Sequence, residues 1–406
     1  MRAFEEEFGG RMDGLDSSPD NAEARDGIAP LGERCVVRVQ DLVKHFRRND
    51  GSVVRAVDGV SLDVRPGEFV VLLGPSGCGK TSLLRSIGGL ERPDGGFVEV
   101  HGQTVYSSEH SVNVRPERRK ISMVFQSYAL WPHMTAFQND AYPLLCRHVR
   151  KKEVRTRVRE ALALVGVADL ERQHPGQMSG GQQQRIALAR AIVARDDLIL
   201  FDEPLSNVDA KVREQLRVEL ISLQRELGFA AIYVTHDQIE AMEMANRLAV
   251  MGEGKIVQMG PPAELYATPK SRYVARFIGR VNELDGRVVQ RDRLVGSASV
   301  ETAVGLLSAS APELEEVEDE VVVMIRPERL RIGPDQPDTP NRWEGSVRGS
   351  LFSGAHTQCF VDVGELSLSV WLAGEAPTQG ARVWLSVDPN DVRILARHDD
   401  VSPLIG

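Results

Sequence analysis

The apolar run GEFVVLLG passes directly into Gly74, Pro75, Ser76, Gly77, Cys78, Gly79, Lys80 and Thr81, and these open the segment KTSLLRSIGGL. A strand, a glycine-rich turn and a helix in that order constrain the fold more than any other stretch of the chain. The glycines let backbone N–H groups curl inward around phosphate oxygens, where bulkier residues would block the approach. The helix behind the turn points its positive end at the same place. Lys80 is expected to reach the β- and γ-phosphates of a nucleotide, and the Thr81 hydroxyl to ligate Mg²⁺. With Ser82, these eight residues make up the expected phosphate-binding set. The bland alternative, a glycine-rich turn without nucleotide, is disfavoured by the flanking strand and helix.

The rest of the chain suits that unit. DDLILFDEP and FAAIYVTHD are short apolar runs ending in polar residues, as a parallel sheet buried on both faces requires. In KKEVRTRVREALALVGV the apolar Val154, Val158, Ala161, Leu162 and Val165 share one helical face. CVVRVQDLVKHF and RAVDGVSLDV read as an antiparallel pair ahead of them. The expected class is therefore α/β, with an antiparallel β subdomain and a helical subdomain around a parallel core. Beyond about residue 280 the pattern changes. LSLSVWL alternates strictly at Leu366, Leu368, Val370 and Leu372, and VWLSV does so at Val383, Leu385 and Val387. Such runs, broken by Gly, Asp and Pro, predict a small barrel or sandwich. At roughly 100–200 residues per domain, 406 residues suit two or three. The expected division is an extension over 1–34, one domain over 35–279 and another over 280–406, with the boundary near Gly279–Asn282. Residues 1–34 carry nine acids against four arginines and no hydrophobic period, so they read as a disordered, solvated tail. The acidic run ELEEVEDE (313–320) reads as a solvated loop or helix end.

Charge and cysteines remove several classes. The net charge of -9 leaves no basic footprint, so nucleic acid is not an expected partner. Cys35, Cys78, Cys146 and Cys359 share no metal-ligand spacing, which argues against zinc or a disulfide framework and for reduced thiols in the cytosol. The start, MRAFEEEFGG, is acidic where a secretory signal would be basic. No run approaches about 18 consecutive apolar residues, so any role at a membrane would come through partners.

Two further motifs carry chemistry. Leu198, Ile199, Leu200 and Phe201 bury a strand that ends in Asp202 and Glu203. Asp202 is placed to hold Mg²⁺, and Glu203 to polarise an attacking water. Met178, Ser179, Gly180, Gly181, Gln182, Gln183, Gln184 and Arg185 then precede the helix IALARAIVA. A serine and two glycines at a helix start make a second anion site, although SGGQ alone also reads as a helix cap. One nucleotide has no need of two such sites in one subunit. The economical reading is that the second faces the γ-phosphate held by another copy.

At these residues, and over roughly 35–270, the sequence closely resembles the ATP-binding cassette family of P-loop NTPases. The resemblance implies ATP and Mg²⁺ as cofactors and gives roles to further residues. Phe46 stands where an aromatic ring stacks on adenine, although a core phenylalanine is the competing reading. Gln126, in MVFQSYALWPHMT, matches the glutamine that senses the γ-phosphate and its metal and contacts the membrane subunits. Ser179, Gly180, Gly181 and Gln182 match the family signature. Asp209, in LSNVD, matches the loop that crosses the dimer. His236, in YVTHDQIEAM, matches the switch histidine. Gln126, Glu203 and His236 are thus the implied catalytic residues. Tyr128, Trp131 and His133 join Gln126 in the implied docking groove, with core packing equally open for Trp131. Met178 and Phe46 are conservative departures from the family pattern. Asp140 replaces an apolar residue, a change expected to alter the docking surface. Cys78, near a helix start, is expected to have a lowered thiol pKa, or else to be a small neutral filler.

Residues 322–332, VVMIRPERLRI, with Arg326, Pro327 and Glu328, and VWLSVDPNDVRIL resemble the accessory β-domain called TOBE, a small OB-like barrel of importer ATPases. The resemblance implies an ATPase subunit acting as a homodimer, or paired with a second cassette ATPase, on the cytoplasmic face of the inner membrane. Its implied partners are integral-membrane permease subunits and, indirectly, an extracytoplasmic solute-binding protein. Family likeness leans toward ferric iron or polyamines as cargo, with sugars and other small solutes behind. Two alternatives are a soluble non-transport ATPase, for which no coiled-coil insertion or paired cassette is visible, and an ATP-dependent regulatory module, against which Lys80, Glu203 and His236 argue.

Overall fold

The computed structural model describes residues 35–292, 296–310 and 319–397. The extension over 1–34 and residues 313–318 of the acidic run lie outside the described residues. The central sheet has six strands in the order Lys255–Gly260, Arg247–Gly252, Phe69–Leu73, Ala230–Thr235, Leu198–Asp202, Ser122–Val124. All neighbours pair parallel except the antiparallel edge strand Lys255–Gly260. Side chains alternate between two cores. Phe69, Val71, Ile199, Phe201 and Tyr233 face the helices. Val70, Leu72, Leu198, Leu200, Ile232 and Val234 face the other way. This double burial is why the runs in sequence are continuously apolar. Each such side chain contributes about 1.5–3 kcal/mol.

Over the second face lies an antiparallel sheet in the order Val53–Val64, Val37–Arg47, Gly95–Val100, Gln103–Ser107, Val112–Asn113. Its first pair is antiparallel as expected, with Val37 opposite Val64. The helix Lys80–Gly88 inserts Leu83, Leu84 and Ile87 into the same core. On the opposite side, helices Ala136–Cys146, Lys151–Leu164 and Gly180–Val193 form the helical part. Val154, Val158, Ala161, Leu162 and Val165 are buried there, as their spacing predicts.

The C-terminal part consists of two curled five-stranded antiparallel sheets around one core, with Val300, Val323, Val361, Val370 and Leu385 drawn from both. Val383, Leu385 and Val387 are buried. Leu368 and Val370 are too, with Leu366 and Leu372 packed on the rim. The two parts meet at a clasp. Arg326 Nη1 donates to the carbonyls of Ala275 (2.9 Å), Gly279 (3.1 Å) and Arg280 (3.1 Å), and Nη2 to that of Tyr266 (3.2 Å). Its guanidinium lies 4.1 Å from the centre of the Tyr266 ring, whose hydroxyl donates to Glu328. Arg272 adds a 2.9 Å ion pair to Glu283. Among the described residues, no helix is long and apolar enough to cross a membrane.

Candidate nucleotide site

The strand Phe69–Leu73 ends at Gly74, and the loop beyond it needs its glycines. Gly79 sits at φ +102, and a Cβ there would lie 1.7 Å from the Ala56 carbonyl oxygen. Only glycine fits that conformation and that approach. Ser76 and Gly77 are exposed at the crest, while Pro75 and Ser82 are half-buried. Lys80 is 5% exposed, and its Nζ donates to the carbonyls of Gly74 (2.7 Å) and Pro75 (2.9 Å). The ammonium therefore sits in the hollow of the loop. Thr81 Oγ1 donates to Asp202 Oδ1 at 2.9 Å, and Arg85 Nη2 to Asp202 Oδ2 at 3.2 Å. Thr81 and Asp202 thus present two hard oxygen donors side by side. That fits Mg²⁺, which takes few protein ligands and completes its shell with water and phosphate.

Glu203 follows the strand Leu198–Asp202 in a left-handed conformation, φ +46, and its N–H donates to the Val234 carbonyl at 3.1 Å. A non-glycine residue held there stores strain, a feature that clusters at reacting sites. Its Oε2 meets His236 Nδ1 at 3.2 Å and Gln126 Nε2 at 3.5 Å. His236 follows the strand Ala230–Thr235 and Gln126 the strand Ser122–Val124, the two neighbours of the Glu203 strand. Three adjacent strand ends therefore converge, at the carboxyl edge where such sheets bind ligands.

Supports surround the trio. Asn207 Nδ2 donates to the Gln126 carbonyl at 2.8 Å, and Ser206 Oγ to that of Glu203 at 2.9 Å. Behind His236, Thr235 Oγ1 and the Tyr233 hydroxyl donate to Glu240 Oε2 at 2.8 and 2.9 Å. Burial pushes the Glu240 carboxyl above its ordinary value, against the pull of those two hydrogen bonds.

Ser179 caps the helix Gly180–Val193. Its Oγ accepts from Gln182 N at 3.3 Å, and Gln182 Oε1 accepts from Ser179 N at 2.8 Å. The cap reading thus holds, yet Ser179 is exposed and Gly180, Gly181 and Gln182 are half-buried at an open helix start. Asp209 is exposed and caps the helix Ala210–Leu227 by accepting from Val212 N at 3.1 Å. Among the described residues, neither Ser179–Gln182 nor Asp209 hydrogen-bonds to the phosphate loop, Glu203 or His236. Phe46 is 40% exposed and so is not a core residue. It pairs with Val54, on the strand whose Ala56 abuts Gly79, and Lys44 Nζ lies 5.0 Å from its ring centre.

Of the two readings of Cys78 the small neutral filler holds, and the expectation for Asp140 is overturned. Cys78 is 1% exposed, and burial raises its thiol pKa against the pull of Lys80. Desolvation outweighs the helix start that suggested a lowered value. Asp140 is not on the docking surface. It is fully buried, neither carboxylate oxygen has a hydrogen-bond partner, and burial drives its pKa well above the ordinary range. Trp131 is half-buried, its ring 4.5 Å from that of Tyr142 and 5.2 Å from the Arg190 guanidinium. Sequence reasoning missed Arg190, which donates to the carbonyls of Tyr128 (2.7 Å) and Ala129 (2.6 Å) just beyond Gln126. Both receiving residues have positive φ, +62 and +47. A lone arginine inside the apolar run IALARAIVA was the available signal.

The family model described as ABC transporter matches residues 57–206, and that described as TOBE domain matches 323–395. A spermidine/putrescine import ATP-binding protein, PotA, of Thermobifida fusca is 43% identical over 84% of this chain and 88% of its own length. A protein of the same name from Rubrobacter xylanophilus is 46% identical over 77% of this chain and 81% of its own. A trehalose/maltose import ATP-binding protein, MalK, of Thermococcus litoralis is 48% identical over 72% and 78%. The chain belongs to the ABC transporter family, as an ATP-binding and ATP-hydrolysing subunit of the importer type that carries a TOBE domain.

Proposed function

We propose that two copies of this chain close head to tail beneath permease subunits on the cytoplasmic face of the membrane and drive polyamine uptake. The observation that carries the reading is the meeting of Gln126 and His236 on one oxygen of Glu203 beside the phosphate loop. Gly74–Ser82 hold the triphosphate, and Lys80 exchanges its two carbonyl partners for phosphate oxygens. Thr81 and Asp202, with Gln126, would hold Mg²⁺, which supplies charge neutralisation at the phosphates. Glu203 Oε2 takes the proton of the attacking water, oriented by His236 and Gln126. Phe46 offers its exposed ring to the base. The open helix start at Ser179, Gly180, Gly181 and Gln182, with Asp209, serves the partner's nucleotide. Trp131 and the exposed His133 line the groove for the permease, whereas Tyr128, expected there with them, is buried in the core. The division at Gly279–Asn282 between cassette and TOBE-like domain belongs to the same reading.

Polyamine cargo is supported by the names of two of the relatives above; the sugar named for the third and the ferric-iron option stand behind it. The test has two parts. Glu203→Gln should sediment as a dimer with Mg-ATP and hydrolyse about 10²–10⁴-fold more slowly. Near-normal turnover removes Glu203 from the base role, and a monomer removes the paired site. Vesicles carrying the permease and binding protein should take up spermidine only with wild-type chain inside. Uptake of maltose or ferric iron instead would replace the cargo.

A further inference from the structure

The helix that begins at the phosphate loop ends on a buried cation. Arg119 is 2% exposed. Its Nη1 donates to the carbonyls of Ser86 (2.9 Å) and Ile87 (2.8 Å), in the last turn of the helix Lys80–Gly88. Its Nε donates to the Val114 carbonyl at 2.9 Å, and Nη2 to Asn113 Oδ1 at 3.2 Å. Among the described residues no carboxylate pairs with it. Burial draws its pKa down to about 10, so it remains a cation at neutral pH. The chain makes room for it. Gly89 sits at φ +79, and a Cβ there would lie 2.4 Å from Arg119 Nε.

A desolvated cation without a counter-ion is costly, and a hydrocarbon side chain would fill the space at less cost. What the cation adds is an answer to the negative end of a helix. The helix is nine residues long, about 13 Å, so a tie on its last turn fixes the placement of the loop at its start as one short rigid element. Arg119 also precedes the strand Ser122–Val124, which leads to Gln126. One guanidinium thus joins the far end of the phosphate-loop helix to the segment that delivers a reacting side chain.

We propose that Arg119 is a positioning residue for ATP: it holds the phosphate-loop helix by its C-terminal carbonyls and so sets the affinity of the loop for a triphosphate. The inference rests on the reading that Gly74–Ser82 bind that triphosphate. The full-length chain is tested by equilibrium binding of Mg-ATP and by the KM and kcat of hydrolysis. R119M should weaken binding about tenfold, seen in Kd and KM with a smaller change in kcat. R119K should recover most of the loss. Leu385→Ala destabilises the C-terminal core far from the loop and should leave Kd at the wild-type value, separating positioning from general stability. Should R119M not fold, G89A displaces the guanidinium without removing it and should weaken binding likewise. Wild-type Kd in R119M or G89A, or R119K no better than R119M, overturns the proposal. K80A distinguishes the two failures. If K80A binds ATP as wild type does, the site reading falls and takes this inference with it. If K80A loses binding while R119M keeps it, the inference alone falls.

Discussion

Asp140 sits on the helix Ala136–Cys146 with both carboxylate oxygens buried and unpaired. Burying a polar group without a partner costs about 1–3 kcal/mol. Asp140→Val should therefore raise the unfolding free energy by about that amount, read from urea midpoints. The sign of the pH dependence follows from the raised pKa. The folded chain prefers the neutral carboxyl, so stability falls as pH rises from the ordinary Asp value of 3.8 toward the folded one. Asp140→Asn should abolish that part of the slope. An unchanged slope in the variant would mean that Asp140 finds a partner on ionisation. Its charged neighbour is Arg190, whose own pKa burial lowers and Asp140 raises. Arg190 in turn holds the carbonyls of Tyr128 and Ala129, so the unpaired carboxyl is coupled from the interior to the segment after Gln126.

At the scale of elements, the strands were the most legible part. Val383, Leu385 and Val387 alternate in the sequence and are buried in the structure because a sheet with one wet face enforces a period of two. The phosphate loop was legible too, because Gly79 answers a steric demand that no other residue meets. Arg119 was not, and Arg326 was legible only as part of a motif and Arg190 only as a lone charge in an apolar run. All three are buried against backbone carbonyls, partners that the sequence does not name. Asp140 misled for the converse reason: its letter says surface, and only packing says otherwise. The Arg326 clasp has a measurable role of its own. Its four hydrogen bonds reach Tyr266, Ala275, Gly279 and Arg280, all ahead of the first C-terminal strand Asn282–Asp292. Arg326→Met should cost about 2–4 kcal/mol. It should split one calorimetric transition into two, as the cassette and the C-terminal sheets melt apart. A single transition at the wild-type temperature would show that the clasp does not couple them.

For the molecule as a whole, the meeting of Gln126 and His236 on Glu203 is a property of the sheet. Gln126, Glu203 and His236 each follow the end of a parallel strand, and the three strands are neighbours. Their spacing is set by ladder hydrogen bonds, about 4.8 Å from strand to strand. Loops around such an edge can differ between relatives without detuning it. Warming should accordingly leave turnover intact until the sheet gives way, with heat inactivation and loss of far-ultraviolet dichroism on one curve. Hydrogen exchange at Phe201 and Val234, both buried in the two central cores, should be among the slowest in the chain. Activity in this fold is therefore switched off by melting and hardly worn down before it, so a thermally stressed cell would hold a shrinking pool of fully competent molecules and no population of sluggish ones.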